Sequence, residues 1–321
     1  MTQSRSRHLV DPELGPLLDM WPTVSVSAET LGEMRARNLP FPVDPTAAER
    51  TEKDERKVPG PKDAPEVPII IYRPKGATGV LPCILHIHGG GYVGGSAESL
   101  EGVHRPLVAE LGCVLVTVGY RLAPETRFPG AVEDCYAALA WLVANAKDLG
   151  VDTSRIGVMG ESAGGGLAAS LALLVRDRGE YKFAFQHLIY PMIDDRTVVT
   201  DDPHPYTGEY IWTPESNAFG WAALLGVEPG SDGVSPYAAA ARAESLKGLP
   251  PTFISTGALD LFLEEDLEYA RRLIRDGVPV EFHIYPGGFH GFNIAPGAAV
   301  AIAAQRDSRA ALKRALKAAT D

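Results

Sequence analysis

The sequence predicts an α/β protein with a mostly parallel central sheet flanked by helices. From residue 69 onward, apolar strand-like runs alternate with segments of helical spacing, with one interruption. The motif Gly160-Glu161-Ser162-Ala163-Gly164 joins the apolar run 155–159 to the helix-like segment 163–178. Asp260 and His290 also follow strand-like runs. Because the carboxyl ends of parallel strands share one edge of a sheet, we expect these polar side chains to lie at the same edge.

Length and charge limit the class of protein. A chain of 321 residues can form one α/β core with an insertion or cap. Its formal net charge of -11 argues against a nucleic-acid or anionic-membrane surface, because both favour clustered Lys and Arg. Residues 1–19 contain no apolar core of signal-peptide length, and no later run approaches a membrane span. We therefore expect a cytoplasmic protein with no membrane partner.

The three cysteines have no spacing typical of a metal site. Cys83 and Cys113 lie within or beside apolar strand-like runs, and the total is odd. We interpret Cys83, Cys113 and Cys135 as reduced packing residues, with a reactive thiol as the alternative.

The first part of the chain lacks a strand pattern. Residues 1–50 show helical apolar spacing, so we expect this segment to lie outside the sheet. The charged, proline-rich stretch 49–68 is interpreted as a connector or an exposed hairpin before the first strand, 69–72.

The remaining elements follow in alternation. Further strands are predicted at 82–88, 114–118, 156–159, 187–190, 250–256 and 280–285. Helices are predicted at 129–145, 163–178 and 264–275, and a last helix contains Ile302, Ala311, Leu312 and Leu316. The aromatic-rich stretch 194–228 interrupts this pattern and is either surface packing or a lid over an apolar pocket.

Ser162 has the sequence context of a nucleophile elbow. A serine between glycines, after a strand and before a helix, fits a tight turn that exposes the hydroxyl at the top of a sheet. The alternative is an ordinary turn, because short glycine-serine motifs also occur by chance.

A second glycine motif, His88-Gly89-Gly90-Gly91, ends the strand 82–88. Successive glycines let backbone N–H groups approach a developing oxyanion, whereas the alternative is a glycine-rich turn without chemistry. His86 and His88 alternate on one strand face, but two histidines without a third ligand do not make a metal site, and we predict none.

Ser162, Asp260 and His290 occur in the chain order of α/β hydrolases, which differs from the orders in the two main serine protease folds. His283 also follows Asp260, but it lies inside a predicted strand. His290 stands on a glycine-flanked loop, so we assign the base to His290.

These motifs together resemble the hormone-sensitive-lipase-like esterases, the bacterial family IV carboxylesterases of the α/β-hydrolase superfamily. The matching motifs, in the family's order, are His88-Gly89-Gly90-Gly91, Tyr120-Arg121-Leu122-Ala123-Pro124-Glu125, Gly160-Glu161-Ser162-Ala163-Gly164-Gly165 and His290-Gly291-Phe292. The family more often has Asp or Thr at position 161, and its usual Asp-Pro-Leu-x-Asp-Glu becomes Asp260-Leu261-Phe262-Leu263-Glu264-Glu265 here. Neither departure removes a catalytic group.

The resemblance implies a role for each site residue. Ser162 is the nucleophile, His290 the base and then the acid, and Asp260 the group that orients His290. The N–H of Ala163 is expected to hold the oxyanion together with those of the glycine loop: Gly89, Gly90 and Gly91. The family's cap implies a division into an N-terminal part of a helical cap at 1–50, core at 51–193, a cap insertion at 194–228 and core at 229–321.

Four polar residues of these motifs are assigned supporting roles. His88 is expected to hold the glycine loop, and Arg121 and Glu125 to hold their own loop. Glu161 is assigned a hydrogen-bonding role outside the catalytic set.

The predicted activity is cofactor-free hydrolysis of short- to medium-chain acyl esters through an acyl-serine intermediate. A non-catalytic receptor for a small ligand is the alternative on the same scaffold, since a fold does not determine function. An amidase, lactonase or acyltransferase would use the same residues. The predicted partner is a small ester, and a homodimer is the one assembly left open.

Overall fold

The computed structural model describes residues 4–21, 23–37 and 40–317. The remaining positions of the predicted segments 1–50 and 229–321 lie outside the described residues. One sheet contains the strands β1 (Thr51–Val58), β2 (Val67–Pro74), β3 (Leu81–Ile87), β4 (Val114–Val118), β5 (Val151–Glu161), β6 (Gln186–Ile189), β7 (Thr252–Gly257) and β8 (Val280–Tyr285). Its strand order is β1-β2-β4-β3-β5-β6-β7-β8.

β2 is antiparallel to both of its neighbours, β1 and β4, and all other neighbouring strands are parallel. β1 pairs with β2 from Thr51 opposite Pro74 to Val58 opposite Val67. The stretch interpreted as a connector or exposed hairpin is therefore a hairpin, and its first strand precedes the one predicted at 69–72. Charged side chains between the buried ends Thr51 and Val58 keep this edge strand largely exposed, which discourages pairing with another chain.

The helices surround the sheet. They are α1 (Gly15–Met20), α2 (Leu31–Ala36), α3 (Pro45–Glu49), α4 (Glu101–Leu111), α5 (Gly130–Ala144), α6 (Ala146–Leu149), α7 (Ala163–Arg178), α8 (Pro214–Leu225), α9 (Leu263–Arg275) and α10 (Ala299–Ala315). The sequence did not predict α4, which contains Pro106, or α8, which lies in the aromatic-rich interruption.

The core lies at the centre of the sheet. β3 and β4 are buried along almost their whole length, as expected for parallel strands covered on both faces. Helix α7 is buried from Ala163 to Val175, and its run of small residues lets it lie close to the strands. This close packing holds the amino-terminal end of α7 at the carboxyl edge of the sheet.

The parallel strands deliver all the predicted site residues to that edge. The glycine loop follows β3, Ser162 follows β5, Asp260 follows β7 and His290 follows β8. β3 and β5 are neighbours, with Ile87 opposite Gly160, so the glycine loop lies beside Ser162.

Candidate active site

Ser162, His290 and Asp260 form one chain of hydrogen bonds. The distance from Ser162 Oγ to His290 Nε2 is 2.9 Å, and that from His290 Nδ1 to Asp260 Oδ2 is also 2.9 Å. The carboxylate accepts from Nδ1–H, which leaves Nε2 as the acceptor of the serine proton. Asp260 Oδ1 accepts a further bond of 3.0 Å from the N–H of Phe262, so the carboxylate is held at both oxygens.

The backbone at Ser162 is strained. Its φ of 56° and ψ of -126° lie in a region that is costly for a non-glycine residue. Neighbouring elements hold this conformation: the Ser162 N–H donates to Ile189 O at 2.9 Å, and Ser162 O accepts from Met192 N–H at 3.0 Å. A Cβ on Gly160 would overlap the backbone of Gly164 across the turn, and a Cβ on Gly164 would overlap the backbone at the end of β3, which explains the glycines of the elbow.

Aromatic rings surround the His290 imidazole. The Tyr190 and Phe262 ring centroids lie 4.7 Å and 5.2 Å from it, both edge-on. The Tyr190 hydroxyl donates to Asn293 Oδ1 at 2.8 Å, which ties the segment after His290 to the end of β6. His290 itself is only 7% exposed, so its position is fixed by packing as well as by Asp260.

The glycine loop presents N–H groups beside Ser162. Gly90 and Gly91 have φ values of 121° and 62°, which require glycine or cost strain. The N–H of Gly89 instead donates to Glu161 Oε1 at 3.3 Å. Within the described part of the chain, the N–H groups of Gly90, Gly91 and Ala163 meet no backbone acceptor. A bound oxyanion can therefore accept hydrogen bonds from these three N–H groups.

His88 and Tyr120 hold the base of the glycine loop. His88 Nδ1 donates to Gly89 O at 2.8 Å, and the Tyr120 hydroxyl donates to His88 O at 2.9 Å. Their rings stack with centroids 4.3 Å apart. Burial lowers the pKa of His88 to about 4, so the imidazole is neutral at neutral pH and acts as a hydrogen-bond donor. The expected loop-holding role of His88 agrees with these contacts.

Glu161 connects the elbow to the glycine loop. Its Oε1 accepts from Gly89 N–H, and its Oε2 accepts from His86 Nε2 at 2.9 Å. Burial alone would raise the pKa of Glu161, but the charge and hydrogen bond of His86 and the Gly89 N–H outweigh it and lower the pKa. Glu161 is therefore an anionic hydrogen-bond acceptor between two loops, as its assigned supporting role requires.

Two further acidic residues, Glu265 and Asp266, lie on α9, the helix that follows Asp260 in the chain. Burial, then the neighbouring charges, raises the pKa of Glu265 and of Asp266 well above ordinary values. Glu265 Oε1 accepts from the N–H groups of Ile193 at 2.7 Å and Asp194 at 3.2 Å, where the predicted insertion begins. Helix α9, which follows the loop that carries Asp260, is thus connected to the start of the insertion.

The other residues singled out in the sequence lie outside the triad. Arg121 pairs with buried Asp134 at 2.7 Å, and Glu125 pairs with Arg35 at 2.7 Å. His283 lies in β8 and contacts Glu281 at 3.0 Å, away from the serine. The three cysteines are buried and unpaired, which confirms their interpretation as packing residues; burial raises the pKa of Cys113 to about 12.

Metal-type clusters and membrane-spanning helices are both absent from the described residues. No group of three or more His, Cys, Asp or Glu side chains there is arranged to hold a metal ion. No helix in the same part of the chain is both long enough and apolar enough to cross a membrane.

Comparison with known proteins identifies the family. Residues 84–294 match the alpha/beta hydrolase fold family. This chain belongs to that family. The α/β hydrolase is 34% identical over 315 residues to carboxylesterase NlhH of Mycobacterium tuberculosis, covering 96% of this chain and 97% of the relative. These matches confirm the resemblance to hormone-sensitive-lipase-like esterases.

Solved structures agree with the family assignment. A bacterial heroin esterase superposes on this α/β hydrolase with a TM-score of 0.87 and 39% identity, over 97% of this chain and 99% of the other. Esterase LipW from Mycobacterium marinum has a TM-score of 0.81 and 30% identity, over 98% of both chains. The predicted fold, a mostly parallel sheet with flanking helices, is confirmed.

Arg35 carried no signal in the sequence of this α/β hydrolase, whereas Trp212 lies in the aromatic-rich stretch 194–228 that was interpreted as surface packing or a lid. Trp212 lies against the loop so closely that a Cβ on Gly91 would overlap its ring. Arg35, from the N-terminal segment, donates from Nε to Val93 O at 2.7 Å. Neither residue belongs to a motif, and both reach the site only through tertiary packing.

Proposed function

We propose that this α/β hydrolase is a serine carboxylesterase that cleaves short- to medium-chain acyl esters. The observation that carries the proposal is the hydrogen-bond chain from Ser162 through His290 to Asp260, beside N–H groups of the glycine loop that meet no backbone acceptor among the described residues. The identity to a named carboxylesterase over nearly the whole chain supports ester hydrolysis as the reaction.

In the acylation step, His290 Nε2 removes the proton from Ser162 Oγ as the oxygen attacks the ester carbonyl. The resulting imidazolium is stabilised by Asp260, which already accepts from Nδ1–H at 2.9 Å. His290 then donates the same proton to the departing alkoxide, so alcohol leaves and an acyl-serine remains.

The tetrahedral intermediate carries negative charge on the former carbonyl oxygen. We assign its stabilisation to the N–H groups of Ala163, Gly90 and Gly91, which face no backbone acceptor in the part of the chain that the structure describes. Gly89 was also predicted as a donor, but its N–H already donates to Glu161. Losing one donor of this kind typically costs about 3 to 4 kcal/mol of transition-state stabilisation.

Deacylation repeats these steps with water as the nucleophile. His290 takes a proton from water, the hydroxide attacks the acyl carbon, and the proton returns to Ser162 Oγ. The products are a carboxylic acid and the free enzyme, and the steps use only groups of the protein and water.

We assign residues 1–50 and 194–228 to a cap over the site, between the core segments 51–193 and 229–321. Two of their contacts support this division: Val26 N–H donates to Ser216 Oγ at 2.9 Å, and Ile211 N–H donates to Thr23 Oγ1 at 3.0 Å. A cap of this kind encloses a finite acyl pocket, which favours short to medium acyl chains. The homodimer and the cytoplasmic location stay predictions.

The receptor alternative is not favoured, because a protein that only binds its ligand has no need for a complete nucleophile, base and acid. Amide, lactone and acyl-transfer chemistry would use the same groups, so substrate panels distinguish them.

Replacing the nucleophile tests the proposal directly. We expect Ser162→Ala to lower kcat for a p-nitrophenyl ester at least about a thousandfold, because no other group can form the acyl-enzyme. A fluorophosphonate probe should label Ser162 in the wild type, as located by peptide mass spectrometry.

Ser170→Ala is the matched control, since Ser170 is a buried serine on α7, the helix that begins directly after Ser162. This variant should keep wild-type turnover. Near-normal turnover of Ser162→Ala, or a label on another serine, would overturn the assignment.

A further inference from the structure

Helix α2, in the N-terminal segment, lies directly against the loop that carries the predicted oxyanion donors. Arg35 donates from Nε to Val93 O at 2.7 Å and from Nη2 to Ala123 O at 2.9 Å. On the same helix, Met34 packs so close to Gly94 that a Cβ there would lie 2.9 Å from the Met34 sulfur. The segment therefore contacts the backbone of the loop itself.

The contacted loop has an unusual backbone conformation that is strained at Tyr92. Gly90, Gly91 and the non-glycine Tyr92 have consecutive positive φ values of 121°, 62° and 66°. A turn closes on Gly90 O, which accepts from Val93 N–H at 3.1 Å and Gly94 N–H at 2.9 Å. Such a conformation persists only where surrounding contacts hold it.

Arg35 also joins this loop to the motif loop 120–125. Tyr92 O accepts from Ala123 N–H at 3.0 Å, and Arg35 donates to carbonyls on either side of that bond, at Val93 and Ala123. Its remaining N–H groups form a two-pronged pair with Glu125, at 2.7 Å and 2.8 Å. The planar guanidinium holds these acceptors in one fixed arrangement, which an ammonium group cannot do.

We propose that Arg35 is a positioning residue for the oxyanion loop, so that the N-terminal segment supports the transition state in addition to covering the pocket. The inference rests on the proposed esterase function. Preorganised donors stabilise the oxyanion only while their N–H vectors point at its position, and Arg35 fixes the turn that orients Gly90 and Gly91. Arg35 touches neither substrate nor reacting atoms.

The Glu125 pair alone does not explain the position of Arg35. The Glu125 side chain is 62% exposed and that of Arg35 is 31% exposed. Exposed ion pairs contribute little and are screened by salt. The bonds to the Val93 and Ala123 carbonyls are the contacts that reach the loop.

The test compares steady-state kinetics of full-length variants on p-nitrophenyl butyrate. Arg35→Ala should lower kcat about tenfold or more, with KM within about twofold, because a loosened donor weakens the transition state more than the ground state. The inhibition constant of a trifluoromethyl ketone, which forms a tetrahedral adduct with serine, should rise by the same factor as kcat/KM falls.

Three further variants separate the contributions. Arg37→Ala removes an exposed pair with Glu33 at 3.7 Å, just after α2, and should change neither parameter. Glu125→Gln removes the ion pair but leaves both carbonyl bonds, so its kcat should fall less than that of Arg35→Ala. Arg35→Lys keeps the charge without the fixed fork and should stay at least about threefold below wild type in kcat, even if Arg35→Ala fails to fold.

The outcomes are distinct from those that test the esterase itself. An inactive wild type, or an active Ser162→Ala, contradicts the proposed function. An active wild type whose folded Arg35→Ala keeps its kcat, or changes only KM, contradicts the positioning role and leaves the segment as a simple cover. Equal losses in Glu125→Gln and Arg35→Ala would also overturn it, since the ion pair would then carry the effect.

Discussion

Asp260 and Asp266 are both buried aspartates, yet their surroundings give them different properties. Asp260 accepts from His290 at 2.9 Å and from the Phe262 N–H at 3.0 Å. Asp266 lies on α9, where burial, then the charges of Glu265 and Asp260, raises its pKa well above the ordinary value. The residue type does not distinguish the roles of these two aspartates, whereas their surroundings in the folded protein do.

We predict that the same substitution abolishes most activity at Asp260 and leaves activity nearly unchanged at Asp266. Asp260→Asn should lower kcat about 10⁴-fold, because an amide at this position favours the wrong tautomer of His290. Asp266→Asn should keep kcat within about twofold, since burial favours the uncharged form of this carboxyl and the amide has a similar shape. Kinetics on one aryl ester at neutral pH checks both.

The pH dependence of stability provides a second readout for Asp266. Above about pH 4 the unfolded chain releases this proton while the folded protein retains it, so the free energy of unfolding falls as pH rises. The asparagine side chain would carry no titrating proton, so Asp266→Asn removes this fall in the free energy of unfolding. The variant should therefore be at least as stable as wild type at pH 8 by chemical denaturation. A large loss of activity or stability in Asp266→Asn would show that the ionised form is needed.

At the scale of elements, two segments that are far apart in sequence pack against the glycine loop. Helix α2 contacts it through Met34 and Arg35, and the insertion contacts it through Trp212. The Trp212 indole N–H donates to Asn217 Oδ1 at 3.1 Å, which fixes the ring to α8. The donors of the loop are therefore oriented from two sides.

Gly91→Ala tests this packing. The new methyl would overlap the Trp212 ring at a φ of 62°, so the loop must shift. We expect kcat to fall at least about a hundredfold, as for loss of an oxyanion donor, and stability to fall by about 1 to 2 kcal/mol. Enzyme kinetics and thermal unfolding measure the two effects.

Gly76→Ala is the matched control. Gly76 has a similar φ of 71°, but among the described residues, apart from its two chain neighbours, no heavy atom lies within 4 Å of the position that its Cβ would take. It should show the stability loss without the loss of kcat. Equal activity of the two variants would mean that the position of the loop does not matter to turnover.

At the scale of the whole molecule, Glu209 joins the N-terminal segment to the insertion. Its carboxylate accepts from the N–H groups of Arg5 at 3.0 Å and Ser6 at 2.8 Å and from the Ser4 hydroxyl at 2.8 Å. Burial would raise the pKa of Glu209, but these hydrogen bonds outweigh it and lower the pKa to about 2. The stabilisation is thus complete above the ordinary value of 4.5 and is lost as pH falls towards 2.

We predict that Glu209 helps set the acyl-length profile. In wild type, each added methylene should improve binding by at most about 0.8 kcal/mol until the pocket is full, after which kcat/KM should fall. Glu209→Ala should flatten this profile across a series of p-nitrophenyl esters and speed amide exchange at residues 4–10. Both changes follow from releasing the N-terminal segment.

Glu215→Ala, at an exposed position on α8, is the control and should leave both readouts unchanged. A folded Glu209→Ala with faster exchange but the wild-type profile would show that residues 4–10 do not bound the acyl pocket. Rates that keep rising through long-chain emulsified esters in wild type would contradict the finite pocket itself.

Much of the site could be predicted because its signals are local. The spacing around Ser162 specifies a strand, a tight turn and a helix, and the observed α7 matches the predicted range 163–178. The edge strand β1 was harder, because charged residues on both of its faces remove the alternation that marks a strand. The hydrogen bonds of β1 to β2 form this strand, although the sequence pattern of β1 does not predict it.

By itself the sequence determined the fold class, the order of the elements and the identity of Ser162, Asp260 and His290 as the groups brought to one edge. Only the tertiary structure decided the strand order, the raised pKa of Asp266, the hydrogen bond from the Gly89 N–H to Glu161 and the contact of Arg35 with Val93. Periodicity and turn chemistry are properties of short segments, so they can be recognised in the chain. Burial, pKa and hydrogen bonds between distant residues arise only when the folded chain brings those residues together, because each depends on the surroundings that packing creates.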